Sequence, residues 1–67
     1  MVSINVNNLT KKIAKGTTLN LLLRNINQKE NGIAVAVNNQ IITKSDWAST
    51  LLIENDEVLI IQATQGG

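Results

Sequence analysis

Val2, Ile4 and Val6 alternate with Ser3 and Asn5 at the start of the chain, the period of a half-buried strand. Asn7-Asn8 follows, and paired asparagines tolerate the left-handed backbone that a tight hairpin turn requires. A second strand over about 9–14, ended by Lys15-Gly16, must then lie antiparallel to the first. The period changes next. Leu19, Leu22, Leu23 and Ile26 fall at i, i+3, i+4 and i+7, one face of a helix, with Leu21 off the stripe and partly exposed. Thr17 or Thr18 is placed to cap this helix, and the polar run 27–32 closes it, with Gly32 free to take a positive φ. Ile33, Val35 and Val37 alternate with Ala34 and Ala36 as a third strand, Asn38-Asn39 repeats the turn signal, and Ile41-Ile42 suits a short fourth strand. Lys44-Ser45-Asp46-Trp47-Ala48 reads as a local turn or a single helical turn, with Ser45 or Asp46 as cap. After the polar turn Glu54-Asn55-Asp56, residues 58–63 carry the strongest strand signal of the chain.

The order is strand, strand, helix, strand, short strand, strand. A right-handed crossover through the helix puts the first and last strands side by side and parallel at the sheet centre. The expected fold is therefore α+β: a mixed sheet of four or five strands with one main helix across one face, the β-grasp arrangement. Residues 1–63 form the domain and 64–67 a flexible tail. Period 2 also divides the last strand: with Val58 and Ile60 toward the helix, Leu59 and Ile61 face the other way. Ala34 and Ala36 share that outer face, so Leu59, Ile61, Ala34 and Ala36 form a shallow apolar patch beside the tail, of the kind that marks a partner site.

With 67 residues and no cysteine or histidine, the domain has neither disulfides nor ordinary zinc sites to support it. One aliphatic core must suffice, with Trp47 as its single aromatic residue. Trp47 has two readings, a docking aromatic or a plug beneath the short fourth strand. The second follows from the absence of any other aromatic for the core. A formal net charge of +1, no Phe or Tyr, and one close group of cations (Lys11, Lys12, Lys15) argue against nucleic-acid binding. Those lysines suit a strand edge that must avoid pairing. No secretory signal or transmembrane length is visible, so a cytosol-like compartment is expected.

Catalytic chemistry is hard to assemble without Cys or His. Glu54, Asp56 and Glu57 are close in sequence, but three acids in a turn read as a solvated loop rather than a divalent-ion site. Gly16 and Gly32 are isolated, so there is no phosphate-cradling loop. The chain reads as a non-enzyme.

The end of the chain carries the candidate chemistry. Gly66-Gly67 follows the last strand after only Thr64 and Gln65. Residues without Cβ let a carboxylate enter a narrow channel fully extended. Four residues reach about 13–14 Å at full extension, enough to enter a buried site from a docked body. A carboxylate is an anion at neutral pH and a poor electrophile, so it must be activated, as an acyl-adenylate, before sulfur or nitrogen attacks it. The tail 64–67 is expected to be disordered, or extended into a neighbour, in the free protein.

The chain resembles the ubiquitin-like sulfur carriers, and within them the ThiS group of thiamine biosynthesis. The resemblance covers essentially the whole sequence. It rests on Ala36-Val37-Asn38-Asn39-Gln40-Ile41-Ile42, Trp47-Ala48, Asn55-Asp56-Glu57-Val58 and the terminal Gly66-Gly67. Thr43 stands where members commonly have proline, and Asn55-Asp56 where they have Gly-Asp. The resemblance implies that an adenylating enzyme of the ubiquitin-activating type, using ATP and Mg²⁺, activates Gly67. A sulfur donor protein then supplies sulfur, leaving a C-terminal thiocarboxylate that thiazole synthase consumes. The chain itself would bind no cofactor, and would work in a bacterial cytoplasm or a plastid stroma. Three alternatives stay open. The small subunit of molybdopterin synthase uses the same terminus, but tends to be longer, with an aromatic- and proline-rich approach to the glycines. A protein modifier would be joined to target lysines through Gly67. A plain binding module would carry a tail without function.

Overall fold

The computed structural model describes residues 1–26 and 32–62. Among these the chain forms β1 (Val2–Val6), β2 (Leu9–Ile13), α1 (Leu19–Asn25), β3 (Ile33–Val37), β4 (Gln40–Ile42), a 3₁₀ turn (Lys44–Ser49) and β5 (Glu57–Gln62). Both hairpins turn on two asparagines in the left-handed region, Asn7 and Asn8 at φ 50° and 69°, Asn38 and Asn39 at 51° and 68°. Two consecutive residues of this kind match the right-handed twist of the strands they join. They also set the register: Val6 faces Leu9 and Val37 faces Gln40.

The strand order is β2-β1-β5-β3-β4. β1 and β5 run parallel in the middle of the sheet, and the other neighbours are antiparallel. This is the mixed sheet expected from the order of elements. Its edges are protected in two ways. β2 exposes Lys11 and Lys12, whose charges disfavour pairing with another chain, and β4 is only three residues long.

α1 lays Leu19, Leu22 and Leu23 against Ile4, Val35 and Val58 of the sheet, all fully buried or nearly so, while Leu21 is 44% exposed. Leu52 completes this core from the segment between the 3₁₀ turn and β5. Trp47 is the plug, not a docking aromatic. It is buried, and its indole Nε1–H donates to the Ile42 carbonyl 3.0 Å away at the end of β4. The indole thus fills the space under β4 and satisfies its one polar atom there.

The capping expectations need correction. Thr18 is the residue before α1, but its hydroxyl bonds the Asn20 side chain and Thr17 Oγ1 donates to the Ala14 carbonyl, so neither side chain caps the helix. A distant strand-like segment does this work. The Leu19 N–H donates to the Thr50 carbonyl at 2.9 Å, and the Leu52 N–H donates to the Thr17 carbonyl at 3.1 Å. A free N–H at a helix start needs an acceptor, and any acceptor in reach will serve. The 3₁₀ turn starts after Thr43, not Ser45 or Asp46; the Thr43 hydroxyl bonds Asp46 and makes no cap to the backbone. Residues 27–31, most of the polar run expected to close the helix, lie outside the described residues. Gly32 beyond it takes φ 75°, as its place predicts.

Asp56 is a buried carboxylate with two partners: Oδ1 accepts from Asn38 Nδ2 and Oδ2 from the Ile53 N–H, each at 2.9 Å. It ties the turn before β5 to the β3–β4 hairpin. Truncating it leaves a part-buried N–H and an amide without acceptors. Asp56→Ala is expected to lower unfolding free energy by about 2–3 kcal/mol, read from chemical denaturation followed by Trp47 fluorescence. A loss below about 0.5 kcal/mol would mean that solvent replaces both bonds.

Candidate functional site

β5 enters from the turn at Asn55, where φ is 71°, and passes between β1 and β3. Val58 is buried and Ile60 packs against the core, so Leu59 and Ile61 must point to the face without the helix. Both are 48% exposed. The register places Ala36 beside Leu59 and Ala34 beside Ile61, so the four residues read as a patch do share one face. Ala34 is exposed, whereas Ala36 is only 6% exposed. Leu59 flanks Ala36 on one side and Ile41 on the other, and these larger side chains shade it. Ala36 is therefore the floor of the patch rather than part of its accessible rim.

Ile41 belongs to the same surface and was not foreseen. It pairs with Ala36 and is 62% exposed. The signal was present, because a two-residue turn at Asn38-Asn39 dictates this partner. Toward the hairpin tips the patch gives way to a recess of about 180 Å³, lined by four asparagines (Asn5, Asn7, Asn8, Asn39) with Glu57, Val58 and Leu59.

The acids near β5 are directed to separate tasks. Glu54 Oε1 accepts from the Ser3 N–H at 3.0 Å, Asp56 is buried in its turn, and Glu57 opens β5. Among the described residues no three His, Cys, Asp or Glu side chains come together. None of their helices is long and apolar enough to cross a membrane. The terminal residues singled out for chemistry (Thr64, Gln65, Gly66 and Gly67) lie outside the described residues, as does the expectation about their order. The strand that leads to them is described as far as Gln62, which pairs with Ile33.

The family model of the ThiS family matches residues 4–67, nearly the full chain and both terminal glycines. This chain belongs to the ThiS family. The sulfur carrier protein ThiS of Escherichia coli strain K12 is 33% identical over 61 residues, which is 91% of this chain and 92% of that protein. A crystal structure of a thiamine biosynthesis protein (ThiS) from Geobacter metallireducens superimposes with a TM-score of 0.85 over 98% of this chain and all of that one. At 17% identity that likeness speaks for the fold, and the ThiS fold is the β-grasp found here. A ThiS-family chain is a small sulfur carrier rather than an enzyme.

The two faces of β5 differ in what they tolerate. Ile61→Asp puts a carboxylate on an exposed position and is expected to change stability by no more than about 1 kcal/mol. Ile60→Asp puts one against the core and is expected to cost about 3 kcal/mol or more. Denaturation midpoints of the two variants check this. Equal losses would mean that the outer face is packed, not open.

Proposed function

We propose that this chain carries sulfur for thiazole formation in thiamine biosynthesis, as a thiocarboxylate on Gly67. The observation that carries the reading is a family match running unbroken to Gly66-Gly67, beyond a strand whose outer face is apolar and uncovered by the helix.

The chemistry follows from the electrophile. A carboxylate oxygen of Gly67 attacks the α-phosphorus of ATP, pyrophosphate leaves, and an acyl-adenylate forms. A sulfur nucleophile at the oxidation level of hydrosulfide then adds to the acyl carbon and expels AMP, leaving the thiocarboxylate. ATP and Mg²⁺ belong to the adenylating partner, whose metal offsets phosphate charge during the displacement. The carrier contributes a terminus whose last two residues lack a Cβ, and a surface by which it is held. Leu59, Ile61, Ile41 and Ala34 supply that surface, with Ala36 as its floor. Thiazole synthase takes the sulfur, and the carboxylate is regenerated for another round. This reading places the chain with its partners in a bacterial cytoplasm or a plastid stroma.

Two variants separate the surface from the terminus. Ile61→Asp is expected to weaken binding to the adenylating enzyme at least tenfold, about 1.4 kcal/mol, with the fold intact. An added alanine after Gly67 is expected to abolish ATP–pyrophosphate exchange while the melting curve stays unchanged. One residue displaces the carboxylate by about 3.3–3.6 Å, outside the alignment that in-line attack needs. Exchange that survives the extension, with intact mass showing no trimming, would remove Gly67 from the reaction.

A further inference from the structure

β5 reaches past the end of β1. Their pairing covers only Asn5 with Glu57 and Val6 with Val58, whereas β3 accompanies β5 as far as Gln62. On the β1 side, the Asn5 N–H donates to the Asp56 carbonyl and the Asn7 N–H to the Val58 carbonyl, each at 2.9 Å. In a parallel ladder the next rung is the Ile60 N–H donating to the backbone carbonyl of residue 7. Asn7 has already turned out of the strand at φ 50°. Its side chain supplies the missing acceptor: the Ile60 N–H donates to Asn7 Oδ1 at 2.8 Å. The amide oxygen thus stands in for a backbone carbonyl and extends the ladder by one rung.

A glycine would meet the conformational demand at Asn7 at least as well, since only the backbone matters to a left-handed turn. The side-chain acceptor is a separate property, and it acts at Ile60, within a few residues of the tail. Asn38 shows the same pairing of roles at the other end of β5, with φ 51° and Oδ1 accepting from the Glu57 N–H at 2.9 Å. Each hairpin's first asparagine therefore makes the turn and also grips the strand between the hairpins.

We infer that Asn7 is a positioning residue for the carrier's terminus: it latches β5 at Ile60 and so fixes the direction in which the chain leaves the sheet toward Gly67. The inference rests on the carrier reading above. The bond is solvent-exposed, so losing it shifts global stability little and acts locally. A terminus launched from a looser strand docks through the same apolar patch but spends less time aligned with the phosphate. The effect belongs in kcat more than in KM.

The test compares Asn7→Gly, Asn7→Asp and Asn8→Gly in the full chain. Asn7→Gly keeps the turn and loses the acceptor, Asn7→Asp keeps an acceptor, and Asn8→Gly controls for glycine in the turn. Hydrogen exchange at the Ile60 amide is expected to speed up at least tenfold in Asn7→Gly and within twofold of the unaltered protein in the others. In ATP–pyrophosphate exchange with the adenylating enzyme, Asn7→Gly is expected to lower kcat at least threefold with KM within twofold, and Asn7→Asp to restore kcat. Unchanged Ile60 exchange in Asn7→Gly, or an unchanged kcat despite faster exchange, overturns the inference. So does an Asn8→Gly variant that behaves like Asn7→Gly, because the turn would then be the cause. If the unaltered protein supports no pyrophosphate exchange, the carrier reading itself fails, before any variant is compared.

Discussion

β5 hydrogen-bonds to both hairpins, so the register of the whole sheet depends on how that one strand is held between β1 and β3. Its grip on β3 is long and antiparallel, five residue pairs from Ile33–Gln62 to Val37–Val58. Its grip on β1 is short, and parallel pairing is slightly weaker per residue. Polar groups reinforce the short side. The Asn55 N–H donates to the Ser3 carbonyl at 2.8 Å, Glu54 accepts from the Ser3 N–H, and Asn7 reaches Ile60. Asp56 and Asn38 secure the entry of the strand from the other flank.

This arrangement separates stability from use. The helix-facing positions of β5, Val58 and Ile60, join a core made of aliphatic side chains and one indole. The outward positions, Leu59 and Ile61, are left beside Ala34, Ala36 and Ile41 without a helix over them. A single strand therefore anchors the domain with one set of side chains, offers an apolar surface with the other, and leads toward the terminal glycines. The core does not depend on the outward set. The carrier can thus present an apolar surface to partners with little cost to its fold.

Local pattern makes most of this legible in the sequence. Period 2 identifies the strands and their faces, the leucine spacing identifies α1, and Asn-Asn identifies both turns, because each signal depends on neighbours in sequence. Most of the misses involve partners far apart in sequence. Threonine capping at Thr17 or Thr18 is a sound local inference, but both hydroxyls bond elsewhere, and the Leu19 N–H finds the Thr50 carbonyl, more than thirty residues on. Asp56 looked like part of a solvated acidic turn until Asn38 and the Ile53 N–H enclosed it. Ile41 differs: the turn at Asn38-Asn39 fixes its partner Ala36, but its exposure depends on β4 being an edge strand, which a run of two isoleucines does not announce. The asparagine pairs announce only their backbone freedom in sequence, because the reach of their side chains to β5 depends on the folded geometry.

The central claim is that the Gly67 carboxylate is where sulfur is carried. Intact-mass spectrometry tests it most directly, on the full chain incubated with the adenylating enzyme, ATP, Mg²⁺ and a sulfur source. The account predicts a mass gain equal to one oxygen replaced by one sulfur, mapped by fragmentation to Gly67 and dependent on ATP. A terminus that keeps its carboxylate under those conditions, or sulfur found elsewhere on the chain, would contradict it.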